Sequence, residues 1–441
     1  MDKLFAVCAP GLEPFLAQEL DELGVQVGRV RPTMNRRTTE PRRINPAILH
    51  QEARSRSAAN SHLDLQAQVS PRDPAIADRT GEGGLEFAGS LRDLYRANLW
   101  LRTASRVLVR LGEFDATAFA ELRRKAGHLP WERYLGPGQP VALRVKCEKS
   151  RLYHSGGVAE RVAGAMADRL GQVSPVRKFD EDAETNLPGL VIVRLANDHC
   201  TISVDSSGAL LHLRGYRQAV AKAPLRETLA AGMLMASGWD MASPLLDPFC
   251  GSGTIPIEAA LMAGHIAPGR ARRFAFMDWP DFDVAMWKAL LAQATLPPVG
   301  EGPGMRVRIL ASDRDAGAIK AAQANAERAG VADSIEFSRR AVSAIEPPPG
   351  PGWVVTNPPY GVRVSASKDL RNLYAQFGNV MRAECPGWRV AMLCDRSPLA
   401  RQTGLHFDPA RSLALVNGGL KVKLAVGIVQ SGHPHARRSA V

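Results

Sequence analysis

Over residues 3–28, alternating apolar positions give way to Leu12, Phe15, Leu16, Leu20 and Leu23 at helical spacing, with acids between them. That pattern predicts a short strand and an amphipathic helix. The periodicity then lapses. Across residues 29–84, Arg36, Arg37, Arg42, Arg43, Arg54 and Arg56 lie among Pro32, Pro41, Pro46, Pro71 and Pro74, and only 44–49 look apolar. This composition predicts a solvated insertion, disordered when free, with an RNA-gripping arm as the alternative.

Periodicity resumes at Leu85. Strands are expected at 85–89, 106–111, 141–147, 190–195 and 200–204, and helices at 91–101, 117–126 and 158–170. Asn197-Asp198 makes the turn between the last two strands. Together these predict a small α+β domain closed by a hairpin. From Leu225 the texture becomes apolar strand, turn and helix, repeated. Strands at 245–247, 307–310, 353–356 and 390–393 alternate with helices at 255–263, 317–329 and 370–383, behind a leading helix at 225–237. Residues 264–305 are an insert with a further helix near 284–291, and 413–429 read as a hairpin around Asn417-Gly418-Gly419. The expectation is a parallel sheet covered on both faces, with its last strand reversed.

Composition narrows the class. The 441 residues are 45% hydrophobic and 23% charged, enough for two or three globular domains. No apolar run reaches the roughly 18–20 residues of a membrane helix, and the start, Met-Asp-Lys-Leu-Phe, shows no secretory signal. Six cysteines stand singly, which argues against a zinc site or disulfide scaffold and for a reducing cytoplasm. Lys+Arg 56 against Asp+Glu 44 leaves a net charge of +12, suited to a polyanion partner. Lys146, Lys149, Arg151 and Arg161 are the candidate phosphate contacts of the α+β region.

Three turns carry candidate chemistry. In Asp247-Pro248-Phe249-Cys250-Gly251-Ser252-Gly253-Thr254, two glycines let a ligand approach the backbone ahead of a helix. A phosphate-binding lysine is missing, and the third glycine of a dinucleotide fingerprint is replaced by Pro256. Asp247 at the strand end would repel a phosphate and suits a ligand with a cationic amine. Asp313, at the tip of the next strand, stands where an open α/β sheet holds ribose hydroxyls, although an acid there can equally cap a helix. Asn357-Pro358-Pro359-Tyr360 ends a buried strand. Its prolines stiffen the turn, and the Asn357 side-chain oxygen and Pro358 carbonyl offer two acceptors beside an exposed Tyr360 ring. That set suits a planar amine on a stacked base.

On these residues, 225–429 resembles the class I S-adenosylmethionine-dependent methyltransferases that modify an exocyclic amine. Leu211-His212-Leu213-Arg214-Gly215-Tyr216-Arg217 and Ala223-Pro224-Leu225-Arg226-Glu227-Thr228-Leu229-Ala230 narrow the likeness to THUMP-containing RNA guanine-N2 methyltransferases, nearest the amino-terminal half of the bacterial large-subunit ribosomal RNA enzymes. The resemblance implies a Rossmann-like C-terminal half behind an α+β THUMP/ferredoxin-like RNA-binding region. It divides the chain into a ferredoxin-like start (1–28), the insertion (29–84), a THUMP-type domain (85–208), a linker (209–224), the catalytic domain (225–430) and a tail (431–441). It implies S-adenosylmethionine as cofactor, no metal, and structured large-subunit ribosomal RNA as partner. Asp247, Phe249, Gly251 and Gly253 would line the methionine end of the cofactor, Asp313 would hold its ribose, and Asn357, Pro358 and Tyr360 would hold the target base. One departure is plain. Where the family carries an acid for the adenine amine, this chain reads Phe337-Ser338-Arg339-Arg340-Ala341. A single glycine turn implies one methyltransferase unit. The competing readings are a transfer RNA guanine-N2 enzyme, a DNA adenine-N6 enzyme with the same tetrapeptide, and a non-catalytic RNA-binding assembly factor.

Overall fold

The computed structural model describes residues 1–27, 83–181, 183, 185–218, 225–294, 307–360, 367–395, 398–417 and 419–430. Residues 28–82, nearly all of the expected insertion, 219–224 at the linker's end, Gly418 of the hairpin turn and the tail lie outside the described residues, and Gly84, expected in the insertion, opens a strand.

The first layer contains β1 (Asp2–Cys8), α1 (Glu13–Glu22), β2 (Gly84–Gly89), α2 (Leu91–Trp100), β3 (Ala104–Asp115), α3 (Phe119–Gly127), β4 (Val141–Glu148), α4 (Ser155–Leu170), β5 (Gly189–Ala196) and β6 (His199–Asp205). They form one six-stranded sheet in the order β2-β1-β3-β6-β5-β4, so the chain on either side of the insertion builds a single sheet. Only β4 and β5 run parallel. A Ser90–Asp93 capping box starts α2, and Asn197 and Asp198, both at positive φ, make the tight β5–β6 turn.

The second layer contains α5 (Glu227–Ser237), β7 (Leu245–Asp247), α6 (Thr254–Ala263), α7 (Val284–Ala294), β8 (Ile309–Asp313), α8 (Ala316–Ala329), β9 (Ile335–Arg339), β10 (Trp353–Thr356), α9 (Ser367–Glu384), β11 (Arg389–Asp395), a short α10 (Leu399–Gln402), β12 (Leu413–Asn417) and β13 (Leu420–Ile428). Its seven strands run β12-β13-β11-β10-β7-β8-β9. As expected, the central strands are parallel and β13 enters reversed beside β11. Strand order turns back between β7 and β10. In an open α/β sheet, that switch point opens a crevice at the carboxyl ends of the strands.

Aromatic packing fastens the layers together. Tyr95 on α2 stacks on Phe276 of the insert (centroids 4.4 Å apart) and meets Trp287 of α7 edge-on, while its hydroxyl accepts from the Asp283 N–H (3.0 Å). Buried polar groups cross the same boundary. Glu19 of α1 accepts from the Arg102 and Thr103 N–H groups, and the Arg102 guanidinium reaches the Ile266 carbonyl (2.7 Å) after α6. The insert between β7 and β8 therefore serves as the mortar between the sheets. Among the described residues, no helix is long and apolar enough to cross a membrane.

Candidate active site

The switch-point crevice gathers all three turns. Asp247 closes β7 fully buried. Its Oδ1 accepts from the Thr356 hydroxyl (2.6 Å) at the end of β10 and from the Phe249 N–H (3.1 Å). Burial pushes its carboxyl up to about 7, with Asp313 adding to the rise, while the two donors hold it back. A buried carboxyl so placed favours a cation as neighbour.

The glycine turn is tied down on every side. The Cys250 N–H donates to the Ser312 carbonyl (3.0 Å), the Gly251 N–H to Asp313 Oδ2 (3.1 Å), and the Gly253 N–H to the Cys250 carbonyl (2.8 Å). The buried Asn325 of α8 donates to the Ser252 carbonyl (2.9 Å). The two glycines differ. Both have positive φ, +52° at Gly251 and +85° at Gly253. A Cβ on Gly253 would meet the Ala322 Cβ at 3.0 Å, whereas one on Gly251 would meet nothing within 4 Å. Gly253 lets α6 and α8 pack; Gly251 faces open space. Phe249 is half-buried, its ring 5.8 Å from Phe377 of α9.

Asp313 is not the helix cap. Asp315 caps α8 by accepting from the Ala318 N–H (2.8 Å), and Asp313 accepts one N–H on each oxygen, from Gly251 and Asp315. A carboxylate has lone pairs beyond those two, so capacity remains for hydroxyl donors. At the tip of β9, where the sequence already departs from the family's adenine-binding acid, stand Arg339 and Arg340. The latter is paired with Glu346 (2.7 Å).

Asn357 follows β10. Its Oδ1 is buried and without a hydrogen-bond partner among the described residues. Such an atom costs about 1–3 kcal/mol unless a donor reaches it. Pro358 is buried, and the Pro359 carbonyl accepts from the Tyr374 hydroxyl (3.3 Å). Tyr360 departs from the exposed ring expected. It is half-buried against both parts of the core, and its hydroxyl accepts from Asn417 Nδ2 (2.9 Å) on β12. The closing hairpin folds over this turn and draws the ring inward.

Sequence reasoning missed several supports. Thr356 precedes the tetrapeptide and carries no signal apart from its place, and Asn325 is one amide in an alanine-rich helix. Arg217, part of a run noted only for its likeness, donates to the Thr254 hydroxyl (2.6 Å) at the start of α6 and pairs with Glu227 (3.1 Å). Of the candidate phosphate contacts, Lys146, Lys149 and Arg151 are exposed around the end of β4, whereas Arg161 is half-buried beside Glu160 (2.9 Å). Among the described residues, no group of three or more His, Cys, Asp and Glu is placed to hold a metal.

Comparison with known proteins fits this geometry. Residues 214–425 match a family model described as RMKL-like, methyltransferase domain, and residues 3–36 and 76–108 match one described as RlmL ferredoxin-like domain. Protein slr0064 of Synechocystis sp., provisionally named an RNA methyltransferase, is 35% identical over 422 residues, covering 95% of each chain. The chain belongs to the RMKL-like methyltransferase family. It is thus an S-adenosylmethionine-dependent enzyme with a ferredoxin-like region before a Rossmann-like catalytic half. The ribosomal RNA large subunit methyltransferase K/L of Methylococcus capsulatus is 37% identical over 350 residues, 77% of this chain and 46% of that protein. The chain spans about half the length of such ribosomal RNA relatives. The crystal structure of SMU.472, provisionally described as a methyltransferase complexed with SAH, superposes with a TM-score of 0.75 at 25% identity, covering 98% of this chain and 99% of that one.

Proposed function

We propose that this RMKL-like methyltransferase acts on the exocyclic N2 amine of a guanine in RNA, with large-subunit ribosomal RNA as its substrate. The observation that carries the reading is the buried Asn357 Oδ1 at the switch point, without a partner among the described residues and one residue from the Thr356 hydroxyl that holds Asp247. An acceptor fixed at the end of a buried strand matches an N–H donor brought by a ligand. The buried Asp247 carboxyl, which has no cationic side chain beside it among the described residues, suits a cationic amine. The residues therefore fit a cofactor with an amino-acid end and a substrate with an amine.

Asp247 would hold the ammonium end of S-adenosylmethionine, with Phe249, Gly251 and Gly253 shaping the wall around it, and Asp313 would accept from the ribose hydroxyls. When bound, the cofactor supplies an electrophilic methyl group on a sulfonium. The chain's part is positioning. The guanine amine is a weak nucleophile because its lone pair is delocalised into the ring. Asn357 Oδ1 and the Pro358 carbonyl accept its two hydrogens, which favours a pyramidal nitrogen with its lone pair free to attack. Tyr360 gives the base a face to stack on, rewarding its removal from a helix. Orientation and preorganised acceptors then supply much of the rate, and no strong base is needed before transfer.

The exposed Lys146, Lys149 and Arg151 place positive charge on the ferredoxin-like side for RNA phosphates. The ribosomal assignment draws on the names of the relatives. The test is methylation of large-subunit ribosomal RNA from a strain lacking the gene, followed by nucleoside digestion and mass mapping. N2-methylguanosine at one site supports the reading. N6-methyladenine in DNA, or product only in transfer RNA, overturns the substrate assignment. No product with any nucleic acid overturns the catalytic one.

A further inference from the structure

The two turns of the site are joined by one hydrogen bond that the family likeness does not assign. Thr356 is fully buried at the end of β10, and its hydroxyl donates to Asp247 Oδ1 at 2.6 Å, across 109 residues of sequence. Strands β7 and β10 are parallel neighbours, with Trp353 beside Leu245 and Val354 beside Leu246. Their ends therefore emerge together at the switch point. Valine would fill the same space, so packing alone does not call for a hydroxyl here. A buried threonine oxygen needs a partner, and the one it has is the carboxylate proposed to meet the cofactor.

We propose that Thr356 is a positioning residue for cofactor binding: it holds the Asp247 carboxylate aimed and ionised for the ammonium end of S-adenosylmethionine. The inference rests on the reading of Asp247 given above. Since Thr356 is bonded in sequence to Asn357, the same contact sets the base-holding turn at a fixed height above the cofactor turn. The cofactor and base subsites are then held in one register before either ligand arrives.

The electrostatics run in the same direction. Burial already raises the Asp247 carboxyl to about 7 with the hydroxyl present. The other titratable groups facing it, among the described residues, are Asp313 on β8, which raises it further, and the Cys250 thiol on the glycine turn, itself pushed up by burial. Neither supplies positive charge. Removing the hydroxyl therefore moves the carboxyl upward again, leaving most of it protonated at neutral pH and unable to pair with an ammonium.

The experiment compares Thr356→Val and Thr356→Ser with the unaltered protein in calorimetric titrations from pH 6 to pH 9. Two ligands are used: S-adenosylmethionine, and 5′-methylthioadenosine, which lacks the amino-acid end. The readout is the ratio of variant to unaltered Kd, because the ligand's own amine titrates equally in both. We expect T356V to weaken S-adenosylmethionine about ten-fold near pH 7, the loss of one charged hydrogen bond. The ratio should shrink towards pH 9, T356S should restore binding, and 5′-methylthioadenosine should bind all forms alike. Binding of that second ligand also reports that the site is folded. Equal loss of both ligands at every pH, or no loss of either, overturns the inference. Asp247→Asn in the same titrations separates the two claims. If it discriminates between the ligands and T356V does not, Thr356 alone is wrong; if neither discriminates, the Asp247 reading fails with it.

Discussion

The glycine turn after β7 and the proline turn after β10 lie side by side at one edge of one sheet, and their polar groups are treated in opposite ways. The first is held by neighbours at several points. Asp313 takes the Gly251 N–H, Asn325 holds the Ser252 carbonyl, and Ser312 receives the Cys250 N–H. The second keeps a buried acceptor, Asn357 Oδ1, with no partner among the described residues. A turn held in this way is a fixed wall against which a ligand can be placed. A turn that leaves one acceptor unpaired, at a cost of about 1–3 kcal/mol, is built to receive a hydrogen. On the proposed reading, the difference separates a surface that holds the cofactor from an acceptor that meets the reacting amine.

Breaking the second turn should give the largest effect. Asn357→Ala should lower single-turnover methylation on the order of a hundred-fold, by analogy with the loss of one preorganised oxyanion donor, and leave S-adenosylmethionine affinity unchanged. The interaction is needed most as the nitrogen pyramidalises, so turnover suffers more than binding. If Asn357 only shapes the turn, the alanine variant will lose thermal stability and keep its rate.

Breaking the first turn should act on binding instead. Asp313→Ala should weaken S-adenosylmethionine roughly ten-fold by calorimetry, the scale of a lost charged hydrogen bond. It also frees the Gly251 N–H, so Asp313→Asn, which can keep one acceptor, should recover part of the loss. Affinity unchanged in both variants would take Asp313 out of the cofactor site.

What the sequence made legible follows a simple rule. The places of the glycine turn, Asp313 and Asn357 could be read because each sits at the end of an apolar strand, and strand–turn–helix order is a local pattern. The sheet of parallel strands with a reversed β13 was legible for the same reason. The contacts that complete the site are long-range. Thr356 meets Asp247 across 109 residues, Asn325 meets Ser252 across 73, and Asn417 meets Tyr360 across 57. No periodicity reports such pairs. Tyr360 was therefore expected as an exposed ring, because nothing near it in sequence says that the closing hairpin will cover it. In the same way, strand patterns at 3–28 and 85–89 do not reveal that β1 lies between β2 and β3.

The glycines sharpen the comparison within the first turn. Either alanine variant carries the strain of a positive φ, about 1 kcal/mol. Gly253→Ala should add a clash with Ala322 and lower the melting temperature further. Gly251→Ala should cost less stability but raise the Kd for S-adenosylmethionine about three-fold or more, because its methyl enters open space that the ligand needs. The same melting temperature and the same Kd for both variants would show that the turn does not divide into a packing residue and a ligand-facing one.

The smallest effect should come from Asn417, which holds the far end of the proline turn. Its amide donates to the Tyr360 hydroxyl at 2.9 Å, and burial raises the Tyr360 hydroxyl above its usual range, so the ring is neutral throughout ordinary pH. The bond fixes the tilt of a ring that already packs on two sides. Losing it removes one neutral hydrogen bond, worth about 1 kcal/mol, and leaves the packing in place. A stacking surface acts on bound base and transition state alike, and uniform binding of that kind appears in KM and not in kcat. Asn417→Ala should therefore raise KM for RNA about two- to five-fold with kcat nearly constant. Asn417→Asp should restore KM, because the tyrosine hydroxyl can turn and donate to the carboxylate. Steady-state methylation at saturating S-adenosylmethionine reads both numbers. A fall in kcat as deep as that of Asn357→Ala would mean that the hairpin places the reacting amine itself, and the contrast between a holding turn and a reacting one would have to be redrawn around β12.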